Sequence, residues 1–187
     1  MSFYGNRLSN PKRKNAFRVI VRDGDNDILL PFSVASADQP KMSVGEARVN
    51  FLNHTFKYPG NVSWEDVSIT FYESVGNGEE GSTILSALNG IFKNSGYYLP
   101  TSMNAPGDQA WRTVSKKDSV SALKQVIIQQ LETGNSPVVV DAWKLQNAWV
   151  KSISPDQLDY AGEEVMKVSV TFAYDFAEHA IGGQFNS

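Results

Sequence analysis

The sequence predicts a mainly β domain with one flanking helix. Three observations carry this. "WEDVSITFYES" (64–74) and "EEVMKVSVTFAYDFAEH" (163–179) alternate apolar and polar residues, as half-buried strands do. A run at 83–93 has helical spacing instead. The 187 residues contain no cysteine, so the core must hold without disulfides or thiolate metal sites.

The elements follow in chain order. Residues 1–15 form a basic lead-in, and Arg7, Lys12, Arg13 and Lys14 mark it as a candidate docking arm for an acidic neighbour. Its bland alternative is a solvated tail. Phe17, Val19 and Val21 share the inner face of a first strand. "RDGDND" is a turn, and Ile28, Leu30, Phe32 and Val34 resume the alternation as a second strand. Pro31 donates no ladder hydrogen bond, which places that strand at an edge or a bulge. Residues 44–58 are extended but only loosely amphipathic, so they bury no clean face within one domain. Met42, Glu46, Arg48, Asn50, Asn53, His54 and Lys57 are therefore expected at a subunit boundary or a wet lumen. "PGN" (59–61) is expected to turn the chain.

Trp64, Val67, Ile69 and Phe71 point inward on the next strand. Ile84, Leu88, Ile91 and Phe92 stack as a helix, with Ser82 or Thr83 as cap and Gly90 as a weak point. The turn-rich, aromatic stretch that follows makes 76–119 a helix plus a long outer loop or insertion. Residues 120–131 fit a short turn of helix running into a strand near Gln125. Trp143 and Trp149 are expected on one face, and Val168, Val170, Phe172, Tyr174 and Phe176 on one side of a last strand. The count is six or seven strands and one helix in a single domain, 1–187.

No chemistry-bearing motif survives scrutiny. His54 and His179 lack a partner at i+3 or i+4. Asp23, Asp25 and Asp27 have calcium-loop spacing, but Ile28 and Val34 stand where such a loop needs glycine and glutamate. "GNGEEGS" has neither the lysine of a phosphate loop nor the spacing of a dinucleotide loop. The acidic corner of Asp156, Asp159, Glu163 and Glu164 reads as solvated charge, its alternative being an acid–base pair. No metal, cofactor or catalytic residue is expected. A net charge of −3 argues against general DNA binding, and no apolar run spans a bilayer. The start lacks the apolar core of a secretory signal.

Two stretches resemble the tail tube proteins of contractile-tailed bacteriophages. In "FKYPGNVSWEDVSITFYES", Gly60, Trp64, Glu65-Asp66 and the strand from Val67 to Thr70 match the family's central motif. In 143–179, Asn147-Ala148-Trp149, Ser154-Pro155, Leu158-Asp159-Tyr160 and Val168 to Phe176 match its closing motif. The resemblance implies a small antiparallel β-sandwich or barrel. It also implies homohexameric rings that stack into a tube, with four strands per copy joined in a continuous barrel around a channel. Its partners would be sheath, tape measure and baseplate proteins, with genomic DNA passing through. The family also implies a virion protein assembled in the host cytoplasm, and related proteins initiate the tube at the baseplate or form type VI secretion tubes. The rival from another class is a monomeric binding module using Tyr97, Tyr98 and Trp111.

Overall fold

The computed structural model describes residues 12–23, 26–29, 33–74, 83–98, 113–132, 138–160 and 162–185, with backbone alone at 23, 26–29 and 83. They form eleven strands and two helices. In chain order these are β1 (Phe17–Asp23), β2 (Asn26–Leu29), β3 (Val34–Ala37), β4 (Met42–Phe51), β5 (His54–Trp64), β6 (Val67–Tyr72), α1 (Thr83–Asn94), α2 (Lys116–Ala122), β7 (Gln125–Leu131), β8 (Val139–Gln146), β9 (Trp149–Pro155), β10 (Lys167–Ala173) and β11 (Phe176–Ile181).

Two antiparallel sheets face each other. One has five strands in the order β11-β8-β7-β1-β2, the other four in the order β3-β6-β10-β9. The alternation seen in the sequence supplies both inner faces. Val19 and Val21 meet Val126, Ile128 and Leu145 from the first sheet. Val67, Ile69, Phe71, Val150, Val168, Val170 and Phe172 come from the second, and all twelve are buried. Each such side chain removed from water contributes about 1.5–3 kcal/mol, so this layer is the main source of stability. The helix α1 adds Ile84, Leu88 and Ile91 to the same core, and α2 adds Ala122, followed by Leu123.

The strand count exceeds expectation because the chain changes sheets inside runs that look continuous. The second strand of the first hairpin divides: β2 is the edge of the five-stranded sheet, while β3 pairs with β6 in the other. Pro31 lies outside the described residues. Trp143 and Trp149 do not share a strand either. Asn147, at φ 54°, turns the chain from β8 in one sheet to β9 in the other. Likewise Phe176 is not on the last strand with Phe172. It opens β11, pairs with Gln146 and is exposed. Two helices replace one, because α2 begins at Lys116 and the expected outer loop therefore ends earlier. Its N-cap is Ser115, whose hydroxyl accepts from the Asp118 amide at 3.1 Å. The expected Ser82 cap of α1 lies outside the described residues. Glu73, beyond β6, accepts instead from the Ile84 amide at 3.1 Å.

The strands β4 and β5 stand apart as a two-stranded ribbon. Pro59-Gly60-Asn61 is not a turn, contrary to expectation: it lies inside β5. The reversal falls at Leu52–Asn53, with Leu52 at φ 52°. At 59–61 the register slips instead, since Val44 pairs with Val62 but Glu46 with Pro59. Gly60 permits this bulge because a Cβ there would lie 3.0 Å from the Gly45 carbonyl carbon and oxygen.

Candidate assembly surfaces

The ribbon is the first surface. Every residue of β4, and every residue of β5 before Trp64, is exposed. At about 3.3 Å per residue, the 11 residues of β5 reach on the order of 35 Å. Register sorts its far half into two faces. Ala47, Val49 and Phe51 lie opposite Tyr58, Phe56 and His54. Glu46, Arg48 and Asn50 lie opposite Pro59, Lys57 and Thr55. The second face is knit together: Glu46 takes Arg48 Nε at 2.5 Å and Lys57 Nζ at 3.1 Å, while Thr55 donates to Asn50 Oδ1 at 2.9 Å. Nearer the root the apolar positions change parity, with Met42 opposite Trp64 and Val44 opposite Val62. The greasy side of the ribbon therefore switches at the Gly45–Gly60 bulge. Trp64 anchors the root, its ring 6.1 Å from that of Tyr174.

The outer face of the four-stranded sheet is the second surface. Between the buried residues of β6 and β10 stand Ser68, Thr70, Ser169 and Thr171, with Ser36 on β3 and Ser152 and Ser154 on β9 continuing the same side. Thr70 and Ser169 share a hydrogen bond of 3.1 Å. The cations at its border are neutralised, Lys151 by Asp66 and Lys167 by Glu164 at 4.0 Å. Among the described residues no further strand pairs with β3 or β9, so both edges of this sheet stay open.

Of the arm, Arg7 lies outside the described residues, and Arg13 and Lys14 are exposed. Lys12 finds its acid within the chain, at Asp141, which also takes His179 Nε2 at 3.3 Å. The His179 ring lies 4.5 Å from that of Trp143. His54 sits at the ribbon tip beside Phe51, so the two histidines share no site. No cluster of three or more metal-ligating side chains occurs among the described residues. The strand residues Val67, Ile69, Phe71, Val170 and Phe172 are wholly buried. Trp143 and Tyr174 pack against the same cluster half-buried, and Trp64 and Trp149 are half-buried at its margin. Tyr97 meets Phe92 edge-on at 6.5 Å, while Trp111 lies outside the described residues.

One constellation escaped sequence reading. Asp175 accepts from Asn147 Nδ2 at 2.8 Å and from Lys116 Nζ at 2.6 and 2.8 Å. These bonds hold its carboxyl below the usual carboxylate range, Lys116 first and Asn147 second. A lone asparagine interrupting an alternating run was the available signal.

A sandwich with an open-edged sheet and a projecting ribbon presents surfaces suited to pairing with further chains. Residues 2–179 match the family model of the phage tail tube protein, and the chain belongs to that family of structural tube proteins. It is thus related to the tube of phage tails. Among solved structures, it is similar to a chain of the sheath/tube terminator of an extracellular contractile injection system (PVC, extended state). There the TM-score is 0.59 at 16% identity, over 93% of this chain and 99% of that one. It is also similar to a chain in the anti-feeding prophage baseplate, with TM-score 0.57 at 13% identity over 95% and 100%. These likenesses show the fold. No curated protein sequence matches the chain.

Proposed function

We propose that this protein assembles into rings of six copies that stack into the inner tube of a contractile tail, without catalysis. The observation that carries the reading is the four-stranded sheet, β3-β6-β10-β9, with two open edges and a hydroxyl-covered outer face. An open sheet must be covered, charged or joined to another chain. Edge-to-edge closure of identical copies removes the edges and yields a barrel, whose bore is then lined by that outer face. Neutral hydroxyls hydrate a passing duplex but displace no counterions from its phosphates, so DNA slides rather than binds. The ribbon residues Met42, Glu46, Arg48, Asn50, Asn53, His54 and Lys57 serve contacts between copies. The helical side, α1 and α2, faces outward toward sheath. Tape measure protein occupies the bore during assembly in the host cytoplasm, and baseplate proteins seat the first ring.

A second reading keeps the ring but not the long tube. Two of the similar chains come from a baseplate and a sheath/tube terminator, positions where a ring meets a different partner, and another comes from a sheath-tube complex. Electron microscopy of the purified protein separates the two. Long tubes with six-fold end views support the main reading, and isolated rings support the initiator or terminator. A monomer at every concentration overturns both.

A further inference from the structure

Among the described residues, two places each carry several exposed apolar side chains and a charge of their own sign. One is the far half of the ribbon, where Phe51 is 65% and Leu52 86% exposed, with Val49, Phe56 and Tyr58 beside them. The other is the segment between β9 and β10, residues 156–160 and 162–166. There Leu158 is 81% exposed, and Tyr160 and Val165 are exposed too. The two places carry opposite charge. Residues 42–64 hold Arg48 and Lys57 against the single acid Glu46. Residues 156–166 hold Asp156, Asp159, Glu163 and Glu164 and no base.

We propose that the ribbon tip of one copy seats on the 156–160 and 162–166 segment of a second copy, Leu52 and Phe51 against Leu158 and Tyr160, the segment passing round the tip so that Glu163 and Glu164 reach Arg48 and Lys57 on the ribbon's opposite face. The proposal rests on the tube reading and deepens it by naming a contact. A two-stranded ribbon alone is marginal in water, so this one needs a covering surface. Arg48 and Lys57 share the single acid Glu46, which leaves the ribbon one positive charge in excess for an acidic surface to balance, and the acidic segment with its own uncovered apolar residues meets both demands. Made once between any two copies, the contact is heterologous and propagates from copy to copy rather than ending in a reciprocal dimer. The turn supports it. Leu52 holds φ 52°, a conformation that glycine or asparagine adopts at lower cost, and thereby sets an apolar side chain at the extreme tip. Strain kept at a surface point is a mark of use.

The chain has no cysteine, so introduced thiols report one contact without background. Leu52→Cys chains mixed with Leu158→Cys chains under mild oxidation are expected to give a cross-linked dimer. Leu52→Cys chains alone are expected to give none. Charge reversal is the second measurement. Arg48→Glu with Lys57→Glu lowers the polymerised fraction by about tenfold or more, and combining it with Glu163→Lys and Glu164→Lys restores it. Wild-type tubes whose mixed cysteine chains stay uncross-linked overturn this contact and leave the tube reading intact. A wild type that stays monomeric overturns both.

Discussion

Asn147 donates from Nδ2 to the Asp175 carboxylate at 2.8 Å, at the corner where the chain twice changes sheets. Asn147 sits in the β8-to-β9 crossing and Asp175 in the β10-to-β11 crossing. The Asp175 amide also donates to the Gln146 carbonyl at 3.0 Å. Lys116, at the start of α2, closes the corner from the helical side. The lowered Asp175 pKa makes the ionised form the one the fold prefers. Its contribution is therefore complete above the ordinary carboxylate pKa and is lost as pH falls through the depressed value. Asp175→Asn keeps an acceptor but loses the ion pair. It should lower the denaturation midpoint slightly at neutral pH, and the difference from wild type should vanish in acid.

Tyr174 gives the opposite window. Burial, then the charges of Asp66 and Glu65, push its phenol up to about 12. The folded chain thus holds this proton more tightly than the unfolded one. The contribution is intact below about pH 10 and is lost as pH rises toward 12. Its buried hydroxyl makes no hydrogen bond among the described residues. Tyr174→Phe should therefore cost little at neutral pH, and should gain on wild type in strong base. Denaturation midpoints at the two pH extremes, with alkaline tyrosine absorbance, check this.

Gly60→Ala should damage assembly while sparing the subunit. The added Cβ would lie 3.0 Å from the backbone of Gly45, which cannot swing away as a side chain can. In Gly45→Ala the Cβ meets the Asn61 oxygen at 3.4 Å, the Asn61 nitrogen at 3.7 Å and the Gly60 Cα at 4.0 Å, all ordinary contacts. Neither residue touches the sandwich core, so thermal unfolding of both variants should resemble wild type. Electron microscopy should show tubes for Gly45→Ala and few or none for Gly60→Ala.

Gly90→Ala should stabilise the subunit by about 0.5–1 kcal/mol, the usual helix-interior difference between the two residues. A Cβ at Gly90 meets nothing within 4 Å, so no clash offsets the gain. Chemical denaturation under conditions that keep the protein unassembled measures it.

The sandwich was legible wherever inner-face residues alternate locally. Val67, Ile69 and Phe71, with Val168, Val170 and Phe172, announce their strands through a two-residue period. The helix at Ile84, Leu88 and Ile91 announces itself through its own. What stayed hidden depends on partners distant in sequence. Nothing near Trp143 and Trp149 says that the sheets on either side of Asn147 differ. Pro59-Gly60-Asn61 has the composition of a turn, and a bulge draws on the same residues. The real reversal uses Leu52, the residue type least expected there. The uncovered character of 44–58 was visible because its apolar positions keep no single parity. Its pairing as β4 with β5 was not, since the turn that creates it carries no glycine.

The parity change at Gly45 and Gly60 also governs when subunits join. A ribbon adhesive on opposite flanks at its two ends gains little from one encounter and much once several neighbours are in place. Growth should then be slow to nucleate and fast to extend, with a threshold concentration below which free subunits persist. Where a preformed platform supplies the first neighbours, elongation starts there and not in bulk solution.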